Sequence, residues 1–151
     1  MPQSKIFRVL LLASLFILLS SLGFFFLRPT SQIPISESKI VSLHDIQLEI
    51  VDTPEKRAQG LSGREELASK QGMLFVFDTP EKAGIWMKDM NFSIDIIWFD
   101  EQKKVVYIKE HATPESFPEV FIPSTLASFV LEVPTGFVKE RGIEVGDTVQ
   151  W

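Results

Sequence analysis

Residues 9 to 27, VLLLASLFILLSSLGFFFL, are nineteen successive positions without a charge, interrupted only by Ser14, Ser20, Ser21 and Gly23. A helix needs about 20 apolar residues to cross the hydrocarbon core of a bilayer. This run also lacks a polar face to turn toward water, which sets it apart from an ordinary surface helix. A cleaved signal peptide has a shorter apolar region, about 7 to 15 residues, and a small-x-small cleavage site. The nearest match, Ser21-Leu22-Gly23, would leave Phe24-Phe25-Phe26-Leu27 as a new terminus. The expectation is therefore a retained single-pass anchor over 9–27. Lys5 and Arg8 precede it and Arg28 alone follows, so the positive-inside tendency keeps residues 1–8 in the cytoplasm. The rest of the chain is then periplasmic or extracellular, with the membrane as its first partner.

Removing the anchor changes the charge. All 20 acidic residues of the 151-residue chain lie beyond position 36, and 12 of its 15 basic residues accompany them, a net charge of −8. Such a surface repels phosphate backbones, which excludes nucleic acid as an expected partner. The chain has no cysteine, so an exported domain must be held by its core alone. Residues 28–38, with PTSQIPISES from position 29, read as a linker. Extended at about 3.1 Å per residue, it would reach roughly 30 Å from the membrane.

Residues 39–151 suit one domain of ordinary size. Ile46, Leu48 and Ile50 alternate with Gln47 and Glu49, the period of a half-buried strand. The preceding KIVSL is expected to pair with it across a turn at His44-Asp45. Thr53-Pro54-Glu55 carries a cap, a first-turn proline and a carboxylate at the positive end of a helix dipole, and Gly60 should end that helix. GMLFVF (72–77), GIWMK (84–88), SIDIIWF (93–99), KKVVYIKE (103–110) and LASFVLEV (126–133) are further strands. FVKER should form a short helix ended by Gly142, and GIEVGD a turn into a last strand. The expected fold is mainly β, a small compact barrel or sandwich with one or two short helices. Its predicted core includes Leu74, Val76, Ile85, Met87, Ile96, Trp98, Val106, Ile108, Phe129 and Leu131.

GMLFVF, IWMKDMNFSIDIIWFD and FIPSTLASFVLEVPTGFVKERGIEVGD resemble successive blocks of the family catalogued as domain of unknown function 192, over about residues 39–151. The resemblance implies a small, mostly β domain, often exported, and implies no activity. The family's block reads WMKN, then Pro-Leu-Asp a few residues on. Here Asp89 replaces the asparagine, which keeps hydrogen-bond acceptance but loses an amide donor. Ser93-Ile94 replaces the proline-leucine ahead of Asp95, which loosens a turn.

Asp95 lies in an otherwise apolar strand, where a lone carboxylate costs several kcal/mol unless partnered. If GIWMK and SIDIIWF form a hairpin through Asp89 to Phe92, Lys88 is its nearest cation. Two readings follow: an ion pair or backbone-bonded aspartate that fastens the fold, or a ligand site on a concave face near Trp86, Lys88 and Asp95. Glu110 and His111 complete the candidate ligand-binding set. His111 opens HATPESFPEVFIPST, a long loop whose Phe117, Phe121 and Ile122 would form a lid or simply cover the end of the fold. With no HxH or HExxH spacing, no GxSxG elbow and no cysteine, neither a metal, a cofactor nor a catalytic nucleophile is expected. The leading expectation is a non-catalytic module that binds a small ligand or a protein partner. The alternative is a carboxylate-dependent hydrolase using Asp95 and Glu110 as acid and base.

Overall fold

The computed structural model describes residues 39–151. The expected cytoplasmic terminus (1–8), anchor (9–27) and linker (28–38) lie outside the described residues. Among the described residues no helix is long and apolar enough to cross a membrane.

The elements run β1 (Ile40–Ser42), β2 (Gln47–Val51), α1 (Pro54–Gln59), β3 (Gln71–Glu81), β4 (Ile85–Trp86), β5 (Ile94–Phe99), β6 (Val105–Ala112), β7 (Val120–Phe121), β8 (Ala127–Pro134), α2 (Phe137–Arg141) and β9 (Thr148–Gln150). Five strands form one sheet in the order β2-β3-β8-β5-β6, and β1-β9 and β4-β7 form two-stranded ribbons. The fold is thus mainly β with two short helices, as expected, but the sheet is open rather than closed into a barrel. It is covered on both faces, which is why every residue of β5 is buried.

Strand alternation sorts the core into two layers. Met73, Phe75, Ile94, Ile96, Trp98 and Val130 face one side, packed against Val51, Leu61, Ile85, Met87 and Phe121. Leu74, Ile97, Phe99, Leu131 and Val133 face the other, against β1, β9, α2 and Ile143. Of the predicted core, Val76, Val106, Ile108 and Phe129 are only half-buried and pack on its margins; the rest are buried.

Two expected pairings are corrected. Leu43 and Ile46 do close a turn, the Ile46 N–H reaching the Leu43 carbonyl at 3.0 Å. The segments it joins do not pair, however: β1 runs parallel to β9 and β2 parallel to β3. The α1 crossover brings β3 back in the same direction as β2, the connection a parallel pair requires. Likewise, β4 pairs with β7 and not with β5, because both edges of β5 are taken by β6 and β8. The Asp89–Phe92 segment is therefore not a hairpin turn. Three hydrogen bonds tie its neighbourhood to the chain after α1: the Ser62 hydroxyl to the Lys88 carbonyl (2.9 Å), the Gly63 N–H to the Asp89 carbonyl (2.8 Å) and the Asn91 amide to the Arg64 carbonyl (2.8 Å).

Local chemistry elsewhere follows the sequence closely. Thr53 caps α1 by accepting the Lys56 N–H at 3.3 Å, and Gly60 ends it. Gly142 ends α2 in a left-handed conformation that glycine adopts freely. Asp147 closes the GIEVGD turn by accepting the Glu144 N–H at 2.9 Å. The 111–125 segment is more regular than a lid: β6 runs on to Ala112, Pro114–Ser116 forms a 3-10 turn, and β7 buries Phe121.

Candidate functional site

Asp95 is 1% exposed and points into the layer that holds α2. Its Oδ2 accepts the Val138 N–H at 3.0 Å and its Oδ1 the His111 N–H at 2.9 Å. The first bond caps α2, whose own N-cap residue, Gly136, has no side chain to do so. The second holds a bulge where β6 slips against β5 between Ile94 and Ile96, with His111 at φ 49°. Asp95 therefore fastens backbone to backbone. Lys88 is exposed and is not its partner.

The structure divides the other sequence-derived candidates between the two faces. Glu110 is exposed, and the His111 ring lies at the same end of β6 as Asp95, its Nδ1 3.0 Å from the Thr135 hydroxyl. Trp86 is on the opposite face, 51% exposed, with its ring edge-on to Phe117 at 6.3 Å. Trp86 and Asp95 thus share no concave surface. The hydrolase pair has no support in this geometry, since both Asp95 oxygens already accept backbone hydrogen bonds.

A second buried carboxyl, which the sequence reading passed over, lies beneath Trp86. Glu132 of β8 is 5% exposed, and its register partners are Met73 on β3 and Ile96 on β5. It lines a cleft of about 60 Å³ with Arg57, Gly60, Leu61, Phe75, Ile85, Trp86 and Met90 among its walls. Its Oε2 has no hydrogen-bond partner among the described groups. Burial pushes its pKa from 4.5 up to about 8, against the charge of Arg64, which pulls it down. At neutral pH the side chain is a carboxylic acid that can donate a hydrogen bond. The signal was present in LASFVLEV, where Glu132 interrupts an apolar strand as Asp95 does in SIDIIWF.

The roof of this cleft is the segment that follows α1, held by the three ties described above. Asp89 adopts a left-handed φ of 57°, which Asp and Asn tolerate better than most residues. The position works through its backbone conformation, so aspartate in place of the family's asparagine preserves that role. Arg57 donates Nη1 to the Asp52 and Val76 carbonyls (2.8 Å each) and lies over the Phe77 ring. Arg64 Nη2 is held by both oxygens of Glu49, at 2.9 and 2.8 Å.

A broader cleft of about 270 Å³ lies on the far side of Leu61, lined by Gln47, Glu49, Arg64 and Gln71. Its charged groups satisfy each other, so the smaller Glu132 cleft has the stronger claim to chemistry. Among the described residues no group of three or more His, Asp or Glu converges to hold a metal.

Related proteins share this chain's fold and leave its activity open. A UPF0127 protein of Pyrococcus abyssi is 34% identical over 119 residues, 78% of this chain and 95% of its own length. Another from Thermococcus kodakarensis is 28% identical over 117 residues, covering 78% of this chain and 71% of the relative. The crystal structure of a protein of unknown function from Novosphingobium aromaticivorans matches with a TM-score of 0.67 at 30% identity, covering 70% of this chain and 75% of the other. That of a protein described as a candidate transcription regulator from Sinorhizobium meliloti matches with a TM-score of 0.65 at 31% identity, covering 68% and 79%. The family model for DUF192, described as Uncharacterized ACR, matches residues 35–151, and the chain belongs to that family.

Proposed function

We propose that this protein is a membrane-tethered, extracytoplasmic binding module without catalysis of its own, and that its ligand enters the cleft floored by Glu132. The observation that carries the reading is the Glu132 carboxyl itself, 5% exposed in the wall of an open cleft, with its inner oxygen, Oε2, sealed from solvent and unpartnered. A buried polar group without a partner is costly. The cleft sets a few polar groups, Glu132, Arg57, Gln59 and Ser62, among apolar walls, the mixed lining of a small-ligand pocket, and at about 60 Å³ it takes only a small terminal group. The apolar run over 9–27 supports the tether, and the net charge of −8 beyond it counts against nucleic acid, including for a regulator-like role.

The test is a fragment screen by amide-resolved NMR on the full-length chain in detergent micelles. Hits should shift Gly60, Leu61, Ser62, Gly84, Trp86 and Met90 together, and Glu132→Leu should abolish them. Hits confined to the Asp95–His111 face, or turnover of a hydrolytic substrate lost in Glu132→Gln, would overturn the reading. The tether is tested separately by protease added outside intact cells, which should release the domain; full protection would reverse the orientation.

A further inference from the structure

We infer that the Glu132 cleft selects an uncharged ligand whose carbonyl, as in a primary amide, accepts the carboxyl's hydrogen bond while an apolar remainder rests on Trp86. This rests on the binding reading above and adds the chemistry of the ligand.

Three features of the cleft narrow that chemistry. Its volume of about 60 Å³ admits only a small terminal group, and its walls combine the apolar Leu61, Phe75, Ile85 and Met90 with the polar Arg57, Gln59 and Ser62. An ammonium ligand would enter beside Arg57, which lines the cleft, and in reach of Arg64, whose charge acts on Glu132. Arg64 is paired with Glu49, so the charge that opposes a second cation is that of Arg57, which is held only by carbonyls. A carboxylate ligand would need a free guanidinium to offset its burial. Both nearby guanidinium groups are already engaged, Arg64 by Glu49 and Arg57 by two carbonyls and the Phe77 ring. What remains is a neutral acceptor facing a neutral acid.

The surface around the mouth accounts for the rest of the ligand. Trp86 (51% exposed), Phe117 (44%), Val120 (42%) and Ile122 (53%) are all open to solvent. β4 pairs with β7, which brings Trp86 opposite Val120, and Phe117 lies edge-on to Trp86. Gly84 lets these strands approach, since a Cβ there would stand 2.8 Å from the Val120 Cγ1. The result is an apolar rim contiguous with the cleft through Gly84 and Trp86, suited to an aromatic or branched alkyl group.

The experiment titrates the full-length protein in micelles with phenylacetamide, its cationic counterpart 2-phenylethylammonium and its anionic counterpart phenylacetate, following the Trp86 indole N–H by NMR. Phenylacetamide should bind at pH 6 and weaken about tenfold by pH 9, as the fraction of protonated Glu132 falls. The charged groups around Glu132 are Arg57 in the cleft wall, Arg64 paired with Glu49, and the exposed Glu55, Lys56, Lys88 and Asp89. Glu132→Gln keeps a donor and should bind phenylacetamide with no pH dependence. Trp86→Ala should weaken binding at every pH. Preference for the ammonium probe, strengthening as pH rises, would overturn the amide assignment and leave the binding site standing. Binding of phenylacetate in preference would do the same. If none of the three binds while other fragments still shift the cleft, the ligand class is wrong; if no fragment shifts it, both readings fall and the cleft holds water only.

Discussion

Asp95 and Glu132 stand on adjacent central strands, one residue out of register, and face opposite sides of one sheet. Both interrupt apolar runs and both are nearly sealed from solvent, at 1% and 5% exposure. The layers above them differ. Over Asp95 the fold presents the first turn of a helix without a capping side chain and a bulged strand, two backbone N–H groups that need an acceptor. Over Glu132 it presents Leu61, Ile85 and Met90 with a cleft between them. Burial of a carboxyl therefore does not decide between fastener and site. The donors supplied by the opposing layer decide it.

The largest effect should come from the fastener. Asp95→Leu removes two charge-assisted hydrogen bonds and leaves the buried Val138 N–H unpaired, for a loss of about 3 to 5 kcal/mol. Asp95→Asn keeps one acceptor and should lose roughly half of that. Urea denaturation measures both. A loss below about 1 kcal/mol would mean that water replaces Asp95 at α2, and the contrast between the two faces would collapse.

Glu132 should respond with the opposite sign. Its pKa is raised from 4.5 to about 8 in the folded chain, so between those values the folded state holds a proton that the unfolded state has lost. Stability from this group is full below pH 4.5, declines as pH rises, and is gone above about pH 8, by up to about 1.4 kcal/mol per unit. Glu132→Gln removes the titration. It should match the wild type near pH 4.5 and exceed it by about 2 to 4 kcal/mol at pH 8.5. Parallel stability curves across that range would show that Glu132 is not held neutral by burial.

The sequence made one of these carboxyls visible and hid the other for a physical reason. In SIDIIWF the aspartate stands between isoleucines and has a lysine seven residues away, which prompts a pairing argument; in LASFVLEV the glutamate sits near the strand's end and resembles ordinary edge polarity. Local signals read correctly where they are local, as in the Thr53 cap, the Gly60 and Gly142 stops and the alternation of β3 and β5. They misled where partners are distant. The β1–β9 ribbon joins the two ends of the domain and β4–β7 pairs residues about 35 positions apart, and strands of two or three residues carry too little pattern to name a partner. Many short strands joined by short turns suit a closed barrel or a compact sandwich alike; here the ribbons cover the faces of an open sheet.

The ties over the cleft offer a smaller test of the Glu132 side. Asn91→Ala removes the amide bond to the Arg64 carbonyl, an exposed contact worth about 1 kcal/mol. If that roof also keeps water from Glu132, the variant should lower the Glu132 pKa from about 8, read from the carboxyl carbon shift by NMR. Lost stability with an unchanged titration would assign the tie to the fold alone.

The smallest effect concerns Lys88. Its side chain is exposed, and its described structural role is the carbonyl that accepts the Ser62 hydroxyl at 2.9 Å, which any residue retains. Lys88→Met should therefore change stability by no more than about 0.5 kcal/mol. A double-mutant cycle with Asp95→Leu should be additive within about 0.3 to 0.5 kcal/mol, because the two residues share no partner and belong to opposite sides of the sheet. A coupling above about 1 kcal/mol would mean that the two charges act on each other across the sheet. Asp95 would then have a second role beside its two backbone bonds, and the division of the molecule into a fastened face and a binding face would have to be redrawn.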